Sequence, residues 1–173
     1  MNKTTIYLVL MSAVLLLAQA VVFNNLVLFG YAVPFVFIYI ILSLPITLST
    51  NISVTAGFVI GLIADAFSDT YGMNAVSCTI LAFVRKPVFH LYIQRDEDLG
   101  GQSPSMRSMG VPVYLKFAGT MVLIYCALAC TVEAFGLFHP WRLLLRIVAS
   151  SVYTLLIVYA IDSLSLSSHE KRL

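Results

Sequence analysis

Apolar runs recur along this chain at the length a lipid bilayer demands, and little else separates them. A helix needs about 20 predominantly apolar residues to cross the hydrocarbon core. Residues 6–23, 26–48, 113–135 and 143–164 supply such runs, and residues 52–67 and 75–93 supply two shorter ones. The separators are brief and rich in turn-forming or capping residues. They are Asn24-Asn25, Ser49-Thr50-Asn51, "SDTYGMN" after residue 67 and "GLFHPWR" before residue 143. The longer interruption covers residues 94–112.

Composition points the same way. Hydrophobic residues make up 60% of the 173 and charged residues only 10%, against about 45–50% and 25% in a soluble domain. No water-soluble fold of this size could bury so much apolar surface. The expected fold is therefore an all-α polytopic membrane protein, a single integral domain of six transmembrane helices with the third and fourth short. A net charge of +2 gives no reason to expect a nucleic-acid partner. Cys78, Cys126 and Cys130 fall inside apolar runs without CxxC spacing, so they read as small buried hydrophobes. Ala18-Gln19-Ala20 mimics a signal-peptidase site, but the apolar run continues through Phe23, so the segment reads as the first span.

Basic residues orient the spans. With six crossings, Lys3, Arg85, Lys86, Arg95, Arg107, Lys116, Lys171 and Arg172 share one side. The opposite side holds Arg142 in a loop, with Arg146 one turn inside the last helix. Cytoplasmic loops carry the excess of Lys and Arg, so both termini are expected in the cytoplasm. The 94–112 loop then lies there too. Its "RDEDLGGQSPSMRSMG" sequence looks flexible, and Asp96-Glu97-Asp98 reads as a solvated face rather than a metal site.

The polar and small residues of the third segment are the candidates for function. Ser53, Gly57, Gly61 and Asp65 recur every fourth residue, flanked by Ala56 and Ala64. In lipid such a stripe lets another backbone approach closely, because contact must come from packing. The partner backbone is a neighbouring helix of the same chain or, alternatively, a second chain. An intramembrane carboxylate raises the question of function by default. Asp65 is expected either to anchor the hydroxyls and amides of the "SDTYGMN" turn or to serve transport, and no ladder of buried acids favours the second. Asp69 is expected to be solvated or to cap the next helix. Glu133 and Arg146 flank the His139-Pro140 turn at equal sequence distance, which predicts an ion pair of Glu133 with Arg146 or with Arg142. Trp141 and the tyrosines near span ends fit an interfacial aromatic belt. No Ser-His-Asp set shares a plausible depth, and no Gly-rich phosphate loop or HExxH motif is present, so no enzymatic activity, cofactor or metal is expected.

The run "SLPITLSTNISVTAGFVIGLIADAFSDTYGMNAVSCTILAFV" resembles the central segment of the MreD family, the rod shape-determining membrane proteins of bacteria. The matching elements are Pro45, then "GFVIGLIAD" with Gly57, Gly61 and Asp65, then Gly72 opening the next helix. Pro34 early in the second span, the length and the six-span plan also fit; the 94–112 loop is longer than in many members. The resemblance implies a non-enzymatic part of the cell-elongation complex in the bacterial cytoplasmic (inner) membrane. Its implied partners are an MreC-like single-span protein, with RodA, its transpeptidase and MreB filaments nearby. The family in turn resembles the substrate-binding subunits of energy-coupling-factor vitamin transporters. That similarity implies an alternative, a membrane subunit holding a vitamin-like ligand. Asp65, Asp69, Asn74, Glu133 and Arg146 are the polar groups available to it.

Overall fold

The computed structural model describes residues 3–23, 33–70, 72–93, 103–133 and 140–170. Every regular element among the described residues is a helix: α1 (Lys3–Val21), α2 (Ile38–Ser43), α3 (Thr50–Ser68), α4 (Met73–Tyr92), α5 (Met106–Met109), α6 (Val111–Glu133) and α7 (Pro140–Glu170). Among the described residues three stretches are long and apolar enough to cross a membrane, namely Thr50–Ser68, Val111–Glu133 and Trp141–Leu164, and Leu10–Val21 is a shorter apolar helix. The protein is a helical membrane protein.

The helices sort by which face they bury. α4 packs between α3 and α6, and α6 packs in turn against α7. On α6 the buried positions are Tyr114, Phe117, Ala118, Met121, Val122, Tyr125, Cys126, Ala129 and Cys130, the three-and-four spacing of one helix face. All three cysteines are buried and unbonded to one another. The outer faces are as apolar as the inner ones. Leu144, Leu145, Val148, Val152 and Leu156 of α7 are exposed, as are Phe58, Val59, Leu62 and Phe67 of α3. Such faces suit hydrocarbon, not water.

The sequence predicts a second span over residues 26–48, interrupted by Gly30, Pro34 and Pro45, and in its described part only a short piece is helical. Residues 24–32 lie outside the described residues. Residues 33–35 are irregular, 36–37 turn, and only Ile38–Ser43 is α-helical. Pro34 and Pro45 bracket this piece, and proline disfavours helix both at its own position and at the residue before it. Every residue of α2 is buried, so the segment runs through the interior of the bundle.

Non-helical backbone inside a membrane protein survives only where the protein itself satisfies its polar groups. Here side chains from two helices do so. The Val33 N–H donates to Ser150 Oγ at 3.1 Å and the Phe35 N–H to Thr154 Oγ1 at 3.1 Å. The Val36 N–H donates to Gln19 Oε1 at 2.8 Å, while Gln19 Nε2 donates to the Pro34 carbonyl at 2.9 Å. At the far end, Arg85 of α4 is 1% exposed and donates to the carbonyls of Leu42 and Leu44. A cation there meets the negative end of α2 and its unpaired carbonyls. The sequence counts Arg85 only among the basic residues expected on the cytoplasmic side; the structure turns it inward to close this helix.

The segment 103–110 is likewise more ordered than a flexible loop. Ser105 and Ser108 form a reciprocal capping box that starts α5. Met106 is buried, and its N–H donates to Asp162 Oδ2 at 2.7 Å. The other oxygen of Asp162 accepts from Tyr39 Oη at 2.8 Å, so one buried carboxylate ties α2, α5 and α7 together.

Candidate functional site

The small-residue stripe on α3 faces α4. A β-carbon added at Gly57 would lie 2.8 Å from the Cys78 carbonyl oxygen and 2.9 Å from the Ala82 β-carbon. One added at Gly61 would lie 2.5 Å from the Ala75 Cα and 2.6 Å from the Asn74 carbonyl oxygen. The helices therefore touch backbone to backbone, and only glycine fits at either crossing. Ser53 continues the buried stripe. The partner backbone belongs to the same chain.

Asp65 completes the stripe one turn later and fixes the register. Its Oδ1 accepts from Thr70 Oγ1 at 2.5 Å and from the Asn74 N–H at 2.9 Å, and its Oδ2 accepts from the Ala75 N–H at 2.8 Å. Asn74 and Ala75 are the second and third residues of α4, whose first amides have no partner within the helix. Gly72 occupies the N-cap position with φ 76° and has no side chain to offer. The carboxylate that caps α4 therefore arrives from the preceding helix, where it also meets the positive end of the α4 dipole. Asp69 does not cap α4. It ends α3 in a left-handed conformation, φ 50°, and its N–H donates back to the Asp65 carbonyl.

The hub reaches α6 through Asn74. Asn74 Nδ2 donates to Thr70 Oγ1 at 3.1 Å, and Asn74 Oδ1 accepts from Tyr125 Oη at 2.5 Å. Tyr125 is fully buried. Its ring meets those of Phe35 and Phe37 edge-on, with centroids 5.1 and 5.8 Å away. A single polar chain thus links α3, α4 and α6, and aromatic contact extends it to the irregular segment.

Above the hub lies a cavity of about 390 Å³. Its lining comes from Gln19 and Ala20 of α1, the irregular segment, the α3–α4 turn with Asp69 and Thr70, Asn74, Glu133 and Arg146. These positions share one end of the bundle. Glu133 and Arg146 form an ion pair at 2.8 Å on its wall. Arg142, the competing partner, stands exposed in the first turn of α7. Among the described residues no three His, Cys, Asp or Glu side chains gather as metal ligands would.

Sequence reasoning missed Gln19, Arg85, Ser150, Thr154 and Asp162. Asp162 carried a usable signal, because an acid near the end of an apolar helix needs a partner. Gln19 and the two hydroxyls carried none, since polar residues of their size are common in membrane helices. No family model matches the chain, and neither the curated proteins nor the solved structures include a match.

Proposed function

We propose that this chain is a non-enzymatic scaffold of the bacterial cell-elongation complex, seated in the cytoplasmic membrane with six crossings and both termini inside. It binds an MreC-like single-span partner, close to RodA, its transpeptidase and MreB filaments. The observation that carries this reading is the use made of "GFVIGLIAD" and Gly72, the residues on which the MreD resemblance rests. Each of their special groups goes into holding two helices at one distance and register. Gly57 and Gly61 admit the α4 backbone, and Asp65 caps it. The product is a stiff hairpin whose outer α3 face, with Val59, Leu62 and Phe67, is exposed and apolar. That is what a protein needs in order to present a fixed surface to another span.

A second reading, the substrate-binding subunit of a vitamin-type transporter, draws on the cavity lined by Asp69, Asn74, Glu133 and Arg146. Purification in mild detergent separates the two. Recovery of a single-span partner that is lost on Gly61→Leu supports the scaffold. A tightly held vitamin with no such partner would sink it.

A further inference from the structure

We propose that the cavity at the Asp69 end of the bundle binds a small organic amine, cationic or zwitterionic, with an aromatic or apolar body. The proposal holds whichever of the two functions above the chain performs, because it rests on the cavity alone. The volume of about 390 Å³ falls within the roughly 300–1,000 Å³ of small-molecule sites, which combine apolar walls with a few convergent polar groups. Phe35 and Phe37 line it and are 7% and 1% exposed, so the floor is deep and aromatic. Asn74, 2% exposed, adds a fixed amide beside them.

Charge selects the ligand class. Among the described residues three ionic side chains line the cavity: Asp69, Glu133 and Arg146. Glu133 and Arg146 neutralise one another at 2.8 Å, which leaves the Asp69 carboxylate as the net charge of the wall. An ammonium group is attracted both by that carboxylate and by the faces of aromatic rings. A simple anion finds the one lining cation among the described residues already paired. A zwitterion is accommodated as well, its carboxylate competing with Glu133 for Arg146. The left-handed backbone at Asp69, φ 50°, turns the chain at the rim. Asparagine tolerates that conformation, so the charge can be removed without disturbing the turn.

The test is calorimetric titration of the purified protein in phosphatidylcholine nanodiscs with three probes: phenethylamine, phenylalanine and 3-phenylpropionate. Saturable binding of the first two, with 3-phenylpropionate at least tenfold weaker, is expected. Asp69→Asn should weaken phenethylamine at least tenfold, while Arg146→Gln leaves it unchanged or tighter and weakens phenylalanine. Preference for 3-phenylpropionate, equal loss in both variants, an amine signal that survives Asp69→Asn, or no saturable binding up to about 10 mM, where affinity is under about 3 kcal/mol, each overturns the proposal.

Discussion

Asp65 shows how one side chain fixes a helix hairpin. Its carboxylate faces three donors: the Thr70 hydroxyl and the amides of Asn74 and Ala75. Asparagine has a single acceptor oxygen, so Asp65→Asn must aim an NH₂ group at one of those donors. Leaving a buried donor unmade costs about 1–3 kcal/mol, and bonds to a charged group are stronger still. A loss of about 2–4 kcal/mol is expected, read as a lower unfolding temperature in detergent; an unchanged midpoint would refute the capping role. Gly61 sets two effects against each other. Alanine should gain up to about 1 kcal/mol of helix propensity. However, its β-carbon would sit 2.5 Å from the Ala75 Cα, and forced overpacking costs about 1–3 kcal/mol. No rotamer relieves a clash with backbone, so Gly61→Ala is expected to destabilise on balance. A stabilised variant would mean that α3 and α4 are not in contact there. Both features were legible, because fourfold spacing and an acid at a helix end are written in the sequence. What remained hidden was the division of labour between Asp65 and Asp69. It depends on a left-handed turn at a residue with no glycine signal.

The same contrast appears among the elements. The helices α3, α4 and α6 fall within a few residues of where hydropathy and turn residues put them, since those signals are local. The second span does not, because a hydropathy window cannot tell a helix from buried irregular chain. Pro34 and Pro45 were visible, yet whether they kink a helix or end one depends on the side chains that meet the freed backbone. Those side chains, Gln19, Ser150 and Thr154, lie 15 or more residues away in sequence. Gln19 is the sharpest test, because it answers both a donor and an acceptor of residues 34–36. Gln19→Leu keeps comparable bulk and removes both answers. About 2–5 kcal/mol should be lost, from two buried backbone groups left unpaired. Hydrogen exchange should also rise at residues 35–40 before it rises in α6. Uniform exchange across both segments would mean that Gln19 does not hold the irregular segment in place.

At the scale of the whole molecule, the polar clusters divide between two ends. Asp65, Asp69, Glu133 and Arg146 gather at one. Asp162, Met106 and Tyr39 meet near the other, where the segment 103–110 leads into α6. The helix α6, Val111–Glu133, has 23 residues and is about 35 Å long at 1.5 Å per residue, enough to cross a hydrocarbon core of about 30 Å. If α6 crosses, positions before and after it face opposite compartments, and the proposed orientation, drawn from the Lys and Arg bias, puts the 103–110 end in the cytoplasm. The three native cysteines are buried, so they leave a clean background for thiol labelling. Arg107 and Trp141 are both exposed, and neither side chain holds a described helix contact together. In spheroplasts, a membrane-impermeant maleimide should label Trp141→Cys directly and Arg107→Cys only after lysis. The reverse pattern would invert the orientation while keeping the crossing. Labelling of both from outside would remove α6 as a span, and with it the alternation on which the six-crossing plan and the cytoplasmic placement of the 94–112 loop depend.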